Sequence, residues 1–437
     1  MASTIARSDC SAVTVRPGRP LTGTVRADGS KNAALPLLAA AAATGREVHL
    51  DTVPHNADVE TMLELLQRSG HVLDRPVSNP HSVTVLPASG RLPVPDLSDA
   101  ASIRASYYLV PALLAACGQA ALPWPGGCRI GDRGMEVHLA VYTAFGDEIE
   151  TSSSGYRVTA AASPPPEVAI SLPFRSRGAS VVAVLRAVVG RQRLLLHNPN
   201  LSPEFTHVLA GLRQTGWRID LSVASLTAEP PAQSEMCPVT WTVPGDKIEA
   251  GTLACAIAAT GGSGRIEGVR GEDVAAVVKA LNWLGIPVSS ESAGIVVHGV
   301  GDPTGRSLRA VASLDPDGLD ADFEPALMAL ALGQPGTHLF SDSINPGRHG
   351  NLLPQLARLG ARIEELSPTE CRLTGPQRLT GAAVEATDIR TGSALLIAAL
   401  TARRVTTVTG LGQLRRGYAD LPGKLRHLGA DIREVSR

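Results

Sequence analysis

The chain has 437 residues, 44% of them hydrophobic and 19% charged, which excludes a disordered chain and leaves room for two large domains. A net charge of −1 implies no general affinity for nucleic acid or membrane surfaces, and an aromatic content of 3% argues against stacking platforms for single-stranded nucleic acid. Six scattered cysteines include no CxxC pair, so no metal ribbon or redox motif is expected.

The chain opens with MASTIARSDCSAVTVRPG, which lacks the apolar core of an export signal, and a cytoplasmic protein is expected. The Ala/Leu-rich run 33–43 is too short to span a bilayer. It is the first of six small-residue segments: NAALPLLAAAAATG, RASYYLVPALLAACG, GASVVAVLRAVVG, EAGTLACAIAATGG, DADFEPALMALALG and TGSALLIAALTA. With almost no polar face, each is predicted to be a helix buried all round. Strand-like runs such as REVHLDTV, QAALPWP, QRLLLHNP and THLFSDSI follow them.

A second pattern alternates with the first. It reads LLQRSGHVL at Gly70, VYTAFGDEI at Gly146, GLRQTGWRI at Gly216, ALNWLGIPV at Gly285, QLARLGARI at Gly360 and KLRHLGADI at Gly429. Helical periodicity precedes each glycine, which is placed for a left-handed C-cap, and alternation follows it. The glycines succeed one another at 76, 70, 69, 75 and 69 residues. The predicted unit is helix–strand–loop–helix–strand, repeated six times, three to a domain. The Pro-rich stretch 229–244 is the natural crossover.

This six-unit plan resembles the enolpyruvyl transferase family. Gly29-Ser30-Lys31-Asn32 at the first helix and the loop Pro125-Gly126-Gly127-Cys128 favour its UDP-N-acetylglucosamine carboxyvinyltransferase branch over the shikimate branch. The resemblance implies an α/β fold of two inside-out domains, each of three repeated units with helices inside and sheets outside. One domain comprises residues 1–30 and 246–437, the other 31–245 with the Cys128 loop. The implied activity is transfer of the carboxyvinyl group of phosphoenolpyruvate to a hydroxyl, with no metal and no cofactor, phosphoenolpyruvate being a co-substrate.

Phosphoenolpyruvate brings about three negative charges, which need converging cations. Lys31, Arg104, Arg133, Arg348, Arg390 and Arg416 lie at unit starts and loops and match the positions the family uses. Lys31 stands at a helix N-terminus, where backbone N–H groups also favour an anion. Cys128, between glycines, matches the family's general acid; a thiol of ordinary pKa about 8.5 is protonated at neutral pH. Asp322 matches the family's proposed base, with Asp320 as rival if the register slips. Asp388 precedes Arg390 and is expected either to orient it or to form a structural salt bridge. Cys128, Asp322, Lys31 and Arg416 form the expected catalytic set.

The acceptor is expected against Asn32, Asp322, the segment Arg133-Gly134-Met135-Glu136-Val137-His138 and the segment Arg175-Ser176-Arg177-Gly178. Here the sequence departs from the family: a lysine before Ser176 is replaced, Gly134 stands for a proline, and His55-Asn56-Ala57-Asp58 lacks a lysine. Arg175 and Arg177 suit a terminal phosphate monoester better than a bridging diphosphate. The expected acceptor is therefore a uridine nucleotide, UMP, modified on its ribose 3′-hydroxyl, as in nikkomycin- and polyoxin-type nucleoside-antibiotic pathways. UDP-N-acetylglucosamine is the alternative acceptor. A non-catalytic ligand-binding paralogue is the alternative of another class, opposed by the presence of both Cys128 and Asp322.

Overall fold

Helices without a polar stripe have no face to give to water and must pack against one another. The computed structural model, which describes residues 12–88, 90, 92–127, 134–232, 237–301, 304–315 and 318–435, shows how. Six such helices occur: α1 (Lys31–Ala43), α2 (Leu109–Cys117), α3 (Arg177–Gly190), α4 (Lys247–Ala259), α5 (Glu324–Ala331) and α6 (Ile389–Thr401). Helices α1, α2 and α3 pack together, as do α4, α5 and α6. Their alanines let the axes approach closely, and Ala39, Ala40 and Ala41 are wholly buried.

Each of the second helices ends at its predicted glycine. They span Ala57–Arg68, Glu136–Ala144, Pro203–Gln214, Ala275–Trp283, Arg348–Arg358 and Leu421–His427. Gly70, Gly146, Gly216, Gly285, Gly360 and Gly429 all have positive φ, from 83° to 105°. That backbone is costly for any residue with a Cβ. A strand follows each time, the first at Val72–Asp74 and the last at Asp431–Val435.

Among the described residues the strands form six sheets outside the helices, five of four strands and one of three. Arg193–His197 is representative, running parallel to Glu167–Ser171 and antiparallel to Ser225–Glu229. Among the described residues the sheet containing Gln119–Pro123 has no parallel edge strand.

The apolar side chains divide into two cores. One draws on residues 33–243, here the continuous lobe; the other on residues 13–27 and 248–432, here the split lobe. The chain crosses between them twice. Thr22–Arg26 pairs with Ser263–Glu267 in the split lobe, while Val239–Thr242 pairs with Val48–Asp51 in the continuous one. The crossings run side by side, joined by Ser30 N–H to the Pro244 carbonyl and Asp246 N–H to the Asp28 carbonyl, both 2.7 Å. Only glycine fits at their centre: a Cβ on Gly29 would stand 1.9 Å from the Thr52 oxygen, and one on Gly245 1.7 Å from the Gly268 oxygen.

Two helix starts differ from the sequence expectation. Arg104 begins a 3-10 turn, Arg104–Tyr108, and Asp322 lies in another, Ala321–Phe323; the α-helices begin later, at Leu109 and Glu324. Proline explains both. Pro111 and Pro325 have no N–H for the carbonyls four residues back, Tyr107 and Ala321. The Ala321 carbonyl accepts from the Arg348 guanidinium instead.

Candidate active site

The two lobes face each other across a cleft of about 590 Å³, lined from both sides. Helix N-termini aim into it: α1 presents Lys31, α3 presents Arg177, α4 presents Lys247 and α6 presents Arg390. Charge is concentrated there, and every cation described below has a protein carboxylate or carbonyl beside it.

Lys31 Nζ lies 3.2 Å from Asp58 Oδ2, and Asp58 Oδ1 accepts from Arg416 Nε at 2.9 Å. One buried carboxylate thus joins a lysine of the continuous lobe to an arginine of the split lobe. Asp322 repeats the arrangement. Its Oδ1 accepts from Arg348 Nη2 and its Oδ2 from Arg390 Nη2, each at 2.8 Å. Burial alone would raise the Asp322 pKa, but Arg390 and Arg348 outweigh it and hold the carboxyl well below the usual range. Arg390 also donates to the Tyr418 hydroxyl at 3.0 Å, and Arg348 Nε lies 3.3 Å from Asp342.

A third ionic chain crosses the cleft. Arg177 Nη1 is 3.4 Å from Glu204, Glu204 is 3.3 Å from Lys247, and Lys247 is 3.0 Å from Asp320. Burial works against ionised Glu204, yet Lys247 and Arg177 bring its pKa down to about 2. Asp320 also caps its turn by accepting from Asp322 N–H at 3.0 Å, so the rival base has structural duties.

On the continuous-lobe wall, Ser176 caps α3 by accepting from Ala179 N–H at 3.2 Å. Gly178 follows in a space where a Cβ would stand 2.4 Å from His138 Nε2 and 2.6 Å from the Tyr107 hydroxyl. His138 packs on Tyr107 with ring centroids 4.5 Å apart, and both of its ring nitrogens are buried without a hydrogen-bond partner among the described residues. Burial, reinforced by Arg104, lowers its pKa to about 4, so it is neutral at physiological pH. Arg175 donates to the Pro199 and Val223 carbonyls at 3.1 and 2.9 Å and lies 3.7 Å from Asp315 of the split lobe.

The model of the EPSP synthase (3-phosphoshikimate 1-carboxyvinyltransferase) family matches residues 15–425. The chain belongs to that family. It is an enolpyruvyl transferase, the chemistry its relatives share. The UDP-N-acetylglucosamine 1-carboxyvinyltransferase of Novosphingobium aromaticivorans is 33% identical over 428 residues, covering 97% of this chain and 99% of the relative. A second, from Caldanaerobacter subterraneus, is 32% identical over 428 residues, covering 96% and 98%. Among solved structures, the enolpyruvyl transferase NikO from Streptomyces tendae matches with a TM-score of 0.86 at 26% identity, covering 98% and 99%. EPSP synthase from Acinetobacter baumannii, at 15% identity and a TM-score of 0.72 over 97% and 100%, shares the inside-out fold.

The cleft of this enolpyruvyl transferase gathers most residues singled out from sequence. Lys31, Asn32, Arg104, Gly134, Glu136, His138, Arg175, Ser176, Arg177, Gly178, Asp322, Arg348, Asp388, Arg390 and Arg416 all line it. Met135 does not: its side chain is buried in the apolar core, where a thioether gains more than in a polar cleft. Asp388 makes no salt bridge to the Arg390 guanidinium. It caps α6, accepting from the N–H groups of Arg390 and Thr391 at 2.9 and 3.0 Å and from the Thr391 hydroxyl at 2.6 Å. Cys128 and Arg133 lie outside the described residues. The stem of their loop is described, and a Cβ on Gly127 would stand 3.0 Å from Arg104 N and 3.1 Å from Arg416 Nη2.

Sequence reasoning missed Asp58, Glu204 and Lys247. Lys247 carried a usable signal. It is one of only four lysines and follows Gly245-Asp246 at the head of α4, as Lys31 follows Gly29-Ser30 at the head of α1. Among the described residues no group of three or more His, Cys, Asp and Glu side chains is arranged to hold a metal ion, and no helix is long and apolar enough to cross a membrane.

Proposed function

We propose that this enolpyruvyl transferase moves the carboxyvinyl group of phosphoenolpyruvate to the 3′-hydroxyl of UMP. The observation that carries the transfer chemistry is the carboxylate of Asp322 held between Arg348 and Arg390 at 2.8 Å each. A carboxylate so paired is a weak base. When phosphoenolpyruvate engages the guanidinium groups, Asp322 loses its counter-ions and its basicity rises as the acceptor hydroxyl arrives. The base is thereby armed by the co-substrate.

In this reading Lys31, Arg348, Arg390 and Arg416 take the phosphate and carboxylate of phosphoenolpyruvate, with Arg104 and Arg133 beside them. Asp322 removes the acceptor hydroxyl proton while the oxygen bonds to C2. A proton from Cys128 goes to C3, forming a tetrahedral phospho-ketal. Loss of a proton from C3 re-forms the C2–C3 double bond as the C2–O bond to phosphate breaks, releasing inorganic phosphate. Closure of the lobes excludes water and strengthens each charge contact.

The acceptor assignment is supported by the wall that departs from the family pattern. Arg175 and Arg177 are not equivalent there. Arg177 is neutralised by buried Glu204, whereas Arg175 is held mainly by two neutral carbonyls. Arg175 is the arginine equipped for a terminal phosphate, and Arg177 braces the wall. The relatives at 32 and 33% identity favour UDP-N-acetylglucosamine as the second reading. Purified enzyme with phosphoenolpyruvate and either acceptor, followed by phosphate release and product mass, decides between them. Release with UMP, and a product heavier than UMP by one carboxyvinyl unit, is expected. Release with UDP-N-acetylglucosamine alone would overturn the acceptor assignment.

A further inference from the structure

Five phenylalanines occur in the chain, and they divide sharply. Phe145, Phe205, Phe323 and Phe340 are buried in the cores, whereas Phe174 is 50% exposed. A half-exposed phenyl ring leaves in water apolar area that burial would remove. Phe174 does not lie on an outer surface. It lines the cleft immediately before Arg175, in a wall otherwise rich in charged and polar groups.

The backbone that presents this ring is pinned on both sides. Asn198 donates to the Leu172 carbonyl at 3.1 Å, Ser176 N–H to the Phe174 carbonyl at 2.7 Å, and Asn200 to the Arg175 carbonyl at 2.9 Å. The Arg175 guanidinium adds its bonds to the Pro199 and Val223 carbonyls. A ring with two torsions on a fixed backbone loses little entropy when it meets a ligand. The opposite rim contributes Leu314, 36% exposed, whose neighbour Asp315 reaches Arg175. The cleft lining therefore offers a flat aromatic face and a cation in sequence, with an aliphatic side chain from the other lobe. Those are the groups that a planar base joined to a phosphorylated sugar requires.

We propose that Phe174 is the platform on which the acceptor's nucleobase stacks, with Arg175 beside it reading the phosphate. The inference rests on the reading of the acceptor as a uridine nucleotide. Stacking on an aromatic face is tolerant of base identity and changes affinity by about tenfold or more. Phe174 therefore selects for the presence of a base, and hydrogen-bonding groups deeper in the cleft select which one.

The test compares Phe174→Leu, Phe174→Ala and Phe174→Trp with the wild type in equilibrium binding of UMP, with ribose 5-phosphate as a probe that has the phosphate but no base. Circular dichroism and the melting temperature confirm that each variant is folded. Leu and Ala are expected to weaken UMP at least tenfold and to leave ribose 5-phosphate and phosphoenolpyruvate binding unchanged. Trp is expected to retain UMP affinity and to show emission quenched by UMP beyond any quenching in the wild type. Wild-type UMP affinity in Phe174→Leu would mean that the ring does not stack on the base, and would overturn the proposal. If the wild type binds UDP-N-acetylglucosamine and not UMP, the acceptor assignment fails by itself. The same variants measured on that ligand then decide stacking: a tenfold loss upholds it and no loss rejects it.

Discussion

Asp322 and Asp58 are two carboxylates that, on the proposed function, stand in advance where an anion is to bind. Each lies between two cations within 3.2 Å, and each would compete with phosphoenolpyruvate for them. In the proposed mechanism, replacing Asp322 with Asn removes both the competitor and the base. Turnover is expected to fall at least about a hundredfold, while phosphoenolpyruvate binds as tightly as in the wild type or more tightly. Calorimetric binding and single-turnover phosphate release check the two halves, and a variant with wild-type turnover would remove Asp322 from the chemistry. Most cations of the cleft were legible, Lys247 excepted, because their positions fall at unit starts and loops, where a helix N-terminus favours an anion. The carboxylates Asp58 and Glu204 were not. An acid in the first turn of a helix is ordinary as a dipole partner, and the sequence gives no sign that its cation sits on the other lobe.

At the scale of elements, the repeat was legible because two physical constraints coincide in each unit. A helix without a polar face must be buried, and a helix-to-strand reversal needs positive φ; all six glycines supply it. The 3-10 starts at Arg104 and Ala321 were missed because Pro111 and Pro325 act four residues upstream of themselves. Near one of these starts lies a tie between elements. His349 Nε2, in the first turn of Arg348–Arg358, is 2.7 Å from Glu324 at the head of α5, and both are buried. The pair fixes the two helix ends that carry Arg348 and Asp322. Burial lowers the His349 pKa, but Glu324, joined by Asp342 and opposed by Arg348, raises it overall. A folded pKa above the unfolded value of about 6.5 gives stability that is complete below pH 6.5 and is lost as pH rises through the folded value. In Glu324→Gln the burial effect is left dominant, so that contribution disappears. The advantage of wild type over Glu324→Gln in urea unfolding is expected to shrink between pH 6 and pH 9. A constant difference would show that His349 does not change charge in the pair.

For the whole molecule, the question is what holds the lobes together before substrate arrives. The two crossing segments set only a hinge, since their direct tie is a pair of backbone hydrogen bonds around Gly29 and Gly245. Among the described residues three ion pairs span the cleft itself: Asp58 with Arg416, Glu204 with Lys247, and Arg175 with Asp315. Arg175–Asp315 is the weakest, with 3.7 Å between charges and an exposed carboxylate. Glu204–Lys247 is buried, and removing one partner would strand the other charge. Asp58 is the informative position, because its loss leaves Lys31 and Arg416, two like charges on different lobes, without the anion between them. Asp58→Asn is therefore expected to open the ligand-free enzyme, increasing the radius of gyration in solution scattering. Phosphoenolpyruvate with acceptor should return it to the wild-type closed value, because the co-substrate supplies the missing negative charge. The scattering difference between free and bound enzyme should thus be larger in Asp58→Asn than in wild type, and should diminish at high ionic strength. An unchanged radius in the free variant would assign the closure to Glu204–Lys247 and the hinge instead.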